Sequence, residues 1–290
     1  RSVSASSRQL RHEALERREL LAAEVAHPVF ASGTSQDYMD SWYSGNANGS
    51  RSGGDINLTN RRWTNPVGGP SPDIGDAATV TWGIVPDGTL GDSDLDDEFD
   101  DASNLIAFFN GIYGDNGSTT VIGQSWFPLI EQAFDEWSLN TGINFQYEPN
   151  DDGVTQSNSA TSRGVAGVRP DIRLFGGRLD GNFNTLAFNY FPNAGGNSGT
   201  DGDMLVDTTD IWYQNNSDGA TGPNRGLHNV LVHETGHGIG MGHVIPVNQT
   251  KVMEPTINLA FRGAQHDDVL AGQSLYGDRF GNNDSSLNAT

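Results

Sequence analysis

The chain has 290 residues, 37 acidic side chains against 16 basic ones, a formal net charge of −21 and a single lysine, Lys251. That balance argues against DNA, RNA and anionic membrane surfaces, each of which needs a basic face, and it suits solubility and cation chelation better. With no cysteine, disulfides, thiolate ligands and a cysteine nucleophile are excluded, and no run of about 18 apolar residues is present to span a membrane.

In chain order, residues 8–26, RQLRHEALERRELLAAEVA, predict a helix. Leu10, Ala14, Leu15, Leu21 and Ala22 give it an apolar stripe, and Pro28 ends it. Residues 1–30 therefore read as an amino-terminal helix or the remnant of a leader. Residues 31–59 are rich in Gly, Ser and Asn and read as a linker, with extended chain continuing to about residue 75. ATVTWGIV (78–85) alternates and is β-branched, which predicts a strand, with PDG (86–88) as its turn. The charge run at 92–103 lacks the glycine of a calcium loop and reads as a solvated loop. SWFPLIEQAFDEWSLNTG (125–142) places Phe127, Ile130, Phe134 and Trp137 on one helical face, and Gly142 closes it. INFQYE (143–148), DIRLFG (171–176) and NTLAFNYF (184–191) predict strands. RGLHNVLVHETGHGIG (225–240) and HDDVLAGQSLYG (266–277) predict helices. The order suggests an α+β domain over 60–278 with mostly consecutive strands, followed by a flexible tail at 279–290.

The stretch HETGHGIGMGHVIPVNQTKVMEP, from His233 to Pro255, carries the chemistry. His233 and His237 lie four apart on a helix and share a face, so both imidazoles can reach one metal ion. Gly240 can take the positive φ that ends a helix and reverses the chain, bringing His243 round as a third nitrogen ligand. Three neutral imidazoles leave one tetrahedral position open, the pattern of catalytic rather than structural zinc. Such a zinc lowers the pKa of water and polarises a carbonyl. Glu234 is placed to take the water's proton and pass it to a leaving amine. His228, five residues before His233, is rotated off the ligand face. Like His12, His27 and His266, it reads as a packing or surface histidine.

HExxHxxGxxH followed by a methionine resembles the metzincin metalloproteases, with Met253 as the candidate Met-turn packed beneath the metal. Within them the chain is most similar to the matrixin (matrix metalloproteinase-like) group. LDGNFNTLAF (179–188) resembles its calcium loop and edge strand, DGDMLVDTTDIW (201–212) its acidic segment before the zinc helix, and HDDVLAGQSLYG its closing helix. The resemblance covers roughly residues 60–278. It implies a twisted, mostly parallel sheet, an active-site helix and a carboxy-terminal helix after the Met-turn. It also implies a calcium held by Asp180, Asp207 and Asp210. A peptide strand would add to the edge strand at Leu186 and Ala187, and PTINLAF (255–261) would wall an apolar pocket for the residue after the cut bond. Three features depart from the family. FGGRLDG, Phe188 and Leu205 stand where the second, structural zinc is usually held, so no such zinc is expected. The cysteine switch is absent. Val244 follows His243 where matrixins usually have serine.

The expected protein is thus a monomeric, secreted or surface-exposed bacterial endopeptidase acting on proteins or peptides. HEALERRELLAA also resembles an amino-terminal signature of many planctomycete extracytoplasmic proteins. The alternative is a catalytically silent matrixin-like binding or adhesion module, which would bind zinc without turnover.

Overall fold

The computed structural model describes residues 28–44, 56–59, 61–92, 98–192, 198–219, 222–244 and 248–280. The helix expected at 8–26, with His12 and His27, lies outside these residues, as does the tail from residue 281.

The strand β2 (Ala78–Ile84), next to one edge of the main sheet, buries Ala78, Val80 and Trp82. The Trp82 ring stacks on Phe134 at 4.2 Å and on Phe127 at 5.8 Å, both nearly coplanar. These partners come from α3 (Phe127–Asn140), whose apolar face is the one its spacing predicts. Each such ring, fully buried, contributes about 1.5–3 kcal/mol. Trp137, on the same face, donates its indole N–H to Val232 O at 3.0 Å and pins the helix that carries the histidines.

Several elements were not expected. α2 (Leu105–Tyr113) buries Leu105, Phe109 and Tyr113, but its N-terminal amides are capped from far away. Asp87 accepts from Ile106 N at 3.0 Å and Ala107 N at 2.9 Å. The four-residue strand β8 (Met204–Asp207) lies within the acidic segment read only as a lead-in to the zinc helix.

The main sheet corrects the expectation of consecutive strands. Its order is β1-β7-β8-β6-β2-β5, where β1 is Val29–Phe30, β5 Ile143–Tyr147, β6 Ile172–Gly177 and β7 Thr185–Asn189. The strands β5, β2, β6 and β8 pair in parallel, and β7 runs antiparallel to β8. Parallel neighbours need crossover connections, which separates strands that follow one another in sequence. α3 is the crossover between β2 and β5. A small second sheet pairs β3 (Leu90–Gly91) with β4 (Asp101–Ala102) at the ends of the charge run.

The stretch read as a linker is partly built into the domain. Val29–Phe30, the end of the stretch read as an amino-terminal helix or leader, likewise joins it as β1, antiparallel to β7. Gln36–Ser44 forms α1, from which Tyr38 donates its hydroxyl to Asp180.

A buried polar network spans β6 and β8. Arg173 makes a two-pronged ion pair with Asp151, both contacts 2.8 Å. Asp203 accepts from Arg173 N at 2.8 Å and from Gln156 Nε2 at 2.9 Å. Burial pushes Asp203 up to about 7, against the pull of Arg173. Because its folded pKa exceeds its unfolded one, Asp203 favours folding below its unfolded pKa, and that contribution is lost as pH rises through about 7. The span is on the order of 4 kcal/mol at most. Thermal unfolding should therefore show a higher melting temperature at pH 5 than at pH 8, with Asp203→Asn flattening the difference. An unchanged slope in the variant would exclude this origin.

Candidate active site

After the short helix α4 (Trp212–Asn215), the helix α5 (Arg225–Gly238) is buried from Gly226 to its end, so it is enclosed all round and its position is set by packing. His233 and His237 lie one turn apart on it. The chain then reverses at Gly240, where φ is +106°. A Cβ there would fall 1.9 Å from Arg61 O, so both conformation and space require glycine. Residues 57–63 clamp this reversal. Thr59 donates to Gly240 O through its amide at 3.1 Å and its hydroxyl at 2.8 Å. Gly242 N reaches Asn57 O at 2.9 Å, and Asn57 Nδ2 reaches His243 O at 2.7 Å. The Trp63 indole bonds Gly238 O at 2.9 Å.

The three imidazoles converge. His243 Nε2 lies 3.0 Å from His233 Nε2 and 3.3 Å from His237 Nε2. Nδ1 of His233 is held by Val252 O at 2.6 Å and Nδ1 of His237 by Met241 O at 2.7 Å. A carbonyl only accepts, so these Nδ1 atoms carry the protons and the Nε2 lone pairs point inward. Lone pairs meeting at one point repel unless a cation lies between them. Four nitrogen ligands about 2.0–2.1 Å from a tetrahedral zinc would stand about 3.3 Å apart, so the donor set fits that ion. Among the described residues, this is the one group of three or more His, Cys, Asp or Glu poised to hold a metal.

Glu234 is fully buried beside them. Its Oε1 accepts from Val29 N at 3.1 Å, and its Oε2 has no hydrogen-bond partner among the described residues. Burial pushes its carboxyl well above the usual range. Met253 lies beneath the triad against Gly236, where a Cβ would fall 2.3 Å from its Sδ. The turn that presents it is strapped from two sides. Glu254 accepts from the amides of Gln249, Thr250 and Lys251 at 2.6, 2.7 and 3.1 Å. Asp268, on α6 (His266–Tyr276), accepts from Val252 N at 2.9 Å and Met253 N at 3.3 Å, and burial raises it to about 6. Since Val252 O orients His233, Asp268 acts on a ligand through the turn.

The other expected residues fall as follows. Leu186 and Ala187 lie on β7, buried, with Leu186 O accepting from Tyr213 Oη at 2.7 Å. The outer edge of β7, expected to await a substrate, is paired with β1. Asp207 accepts from the amides of Leu179, Asp180 and Gly181 at 3.0–3.3 Å. Asp210 accepts from Phe183 N and Trp212 N at 2.9 and 2.7 Å, and Asp180 accepts from Thr185 N at 3.1 Å. All three organise one loop, although their carboxylates do not form a compact triad like that of the histidines. Phe188 and Leu205 face each other across β7 and β8 in a cluster with Val85, Phe175 and Tyr190. His228 is buried 3.7 Å from Glu136, and desolvation lowers its pKa, in keeping with packing. His266 opens α6.

Sequence reasoning missed Gly236, Asn57, Trp63 and Asp268. Only Asp268 carried a local signal, an acid three residues past Gln265 at a helix start, and the two form a capping box.

No described helix is long and apolar enough to cross a membrane. None of the curated proteins matches the chain. The family model described as Matrixin matches residues 116–277, more than half of the chain, and spans the histidines, Glu234, Met253 and α6. The histidine cradle and the mostly parallel sheet thus sit on a chain that belongs to the matrixin family of zinc metallopeptidases.

Proposed function

We propose that the protein is a zinc-dependent endopeptidase that hydrolyses peptide bonds of proteins, with His233, His237 and His243 as ligands and Glu234 as the general base. The observation that carries this reading is the convergence of three Nε2 atoms at 3.0 and 3.3 Å beside a buried carboxylate. Zinc, when bound, lowers the pKa of water and polarises the scissile carbonyl. Glu234 takes the proton of the attacking water and delivers it to the leaving nitrogen. The β7 main chain aligns an extended substrate at Leu186 and Ala187. Pro255 and Ile257 wall the far side and favour an apolar residue after the cut bond.

Calcium at Asp180, Asp207 and Asp210 belongs to the same reading. Burial raises the Asp180 and Asp210 carboxyls, and repulsion from neighbouring aspartates adds to the shift. A divalent cation with oxygen ligands would relieve it. Action outside the cell is part of the proposal and rests on the amino-terminal signature.

The test pairs metal analysis with a casein digest. One zinc per chain is expected, together with cleavage that a chelator abolishes and added zinc restores. A chain without zinc, or cleavage indifferent to chelation, would refute the reading. Calcium should raise the melting temperature of the zinc-loaded protein, and no shift would remove the calcium site from it.

A further inference from the structure

The amino-terminal strand β1 lies in the cleft that the proposed function assigns to substrate. Its backbone is bonded on both sides, as in an inserted strand. On one side Val29 pairs with Ala187 and Phe30 with Thr185, antiparallel, and Ala31 N donates to Asn184 O at 2.9 Å. On the other, Phe30 N donates to Pro255 O at 2.9 Å and Phe30 O accepts from Ile257 N at 3.0 Å. Phe30 also forms a parallel bridge to Thr256. The side chains follow the backbone. Val29 is fully buried in the core cluster that holds Leu186, Ala187, Val230 and Ile257, and Phe30 packs edge-on against Tyr38 at 6.0 Å.

One contact identifies a bond. A general base that hands a proton to a leaving amine must lie within about 2.6–3.2 Å of that nitrogen. Val29 N is 3.1 Å from Glu234 Oε1, and it is the nitrogen of the Pro28–Val29 peptide bond. Val29 is also a medium-sized apolar side chain, the type the pocket walled by 255–257 should accept after the cut.

We propose that residues 28–31 occupy the protein's own substrate cleft and that Pro28–Val29 is a self-processing site. The processing step rests on the endopeptidase reading. Water adds its oxygen to the Pro28 carbonyl carbon, and the bond to the Val29 nitrogen breaks. Glu234 carries one of the water's protons to that nitrogen, and the second passes from the new Pro28 carboxyl to the same nitrogen, leaving a carboxylate at Pro28 and an ammonium at Val29. Until the bond is cut the segment competes with other substrates. Afterwards Val29 can leave the cleft.

The test uses the whole chain, residues 1–290, and has two parts. The first is independent of turnover. In the metal-free protein, hydrogen exchange of the Ile257 amide is compared between wild type, Val29→Asp and Val29→Gly, with circular dichroism confirming that each is folded. If the segment fills the cleft, the aspartate, which cannot be buried unpaired, speeds exchange by about tenfold or more, and the glycine speeds it less. Unchanged exchange in both variants overturns the placement. In the second, zinc-loaded protein is followed by intact mass and amino-terminal sequencing. Loss of residues 1–28 and a new terminus at Val29 are expected, abolished by Glu234→Gln. Casein cleavage with Pro28–Val29 intact overturns the self-processing site and leaves the endopeptidase reading standing. No cleavage of either overturns both.

Discussion

The Glu234→Ala protein is expected to bind zinc with wild-type stoichiometry and to hydrolyse peptides about 10²–10⁴-fold more slowly. The Nδ1 atoms of His233 and His237 are oriented by Val252 O and Met241 O rather than by Glu234, so the histidine cradle does not depend on it. In the proposed mechanism the substitution removes the group that moves a proton from water to the leaving nitrogen. Folding should suffer little. The carboxylate sits buried with Oε2 unbonded among the described residues, so alanine removes a desolvation cost while it gives up one hydrogen bond, from Val29 N to Oε1. Metal content by elemental analysis and the initial rate on a quenched peptide provide the readouts. Wild-type turnover in this variant would mean that another group serves as base.

Gly240→Ala is expected to lower stability by about 2–4 kcal/mol and weaken zinc binding together. The positive φ alone disfavours any residue with a Cβ. The larger effect is the collision with Arg61 O, a backbone atom that cannot rotate away. Relief requires the clamp of residues 57–61 to open. That clamp includes the Asn57 contact to His243 O and the Thr59 contacts to Gly240 O. His243 would then lose its fixed approach to the other two ligands. Thermal unfolding and zinc titration of the variant measure the two effects. A variant with normal stability but poor zinc binding would separate the clamp from the ligand, against this account.

The site was more legible than the scaffold around it. His233, Glu234, His237, Gly240 and His243 lie within eleven residues, and their geometry follows from helical spacing and one glycine. α3 was legible because its stripe is local, as was α6. The missing pieces share a cause, which is distance along the chain. α2 depends on Asp87 for its cap, and Gly236 matters because Met253 packs against it. The linker reading of 31–59 concealed α1, and β1, at the end of the stretch read as a helix or leader, was missed because two residues of strand give no period to read. The consecutive sheet failed for a related reason. Pattern reveals strands but not which neighbour each will choose, and the four-residue β8, placed between β6 and β7, sets that order.

The clamp at residues 57–63 has a consequence for where this domain begins. The family match starts at residue 116, yet β2, which sits between β5 and β6, and the backbone that shapes the last ligand turn both come earlier. The stretch that can be recognised is therefore shorter than the stretch that must fold. A chain trimmed to the recognisable stretch would retain all three histidines and the glutamate, but it would lack the neighbours that aim them.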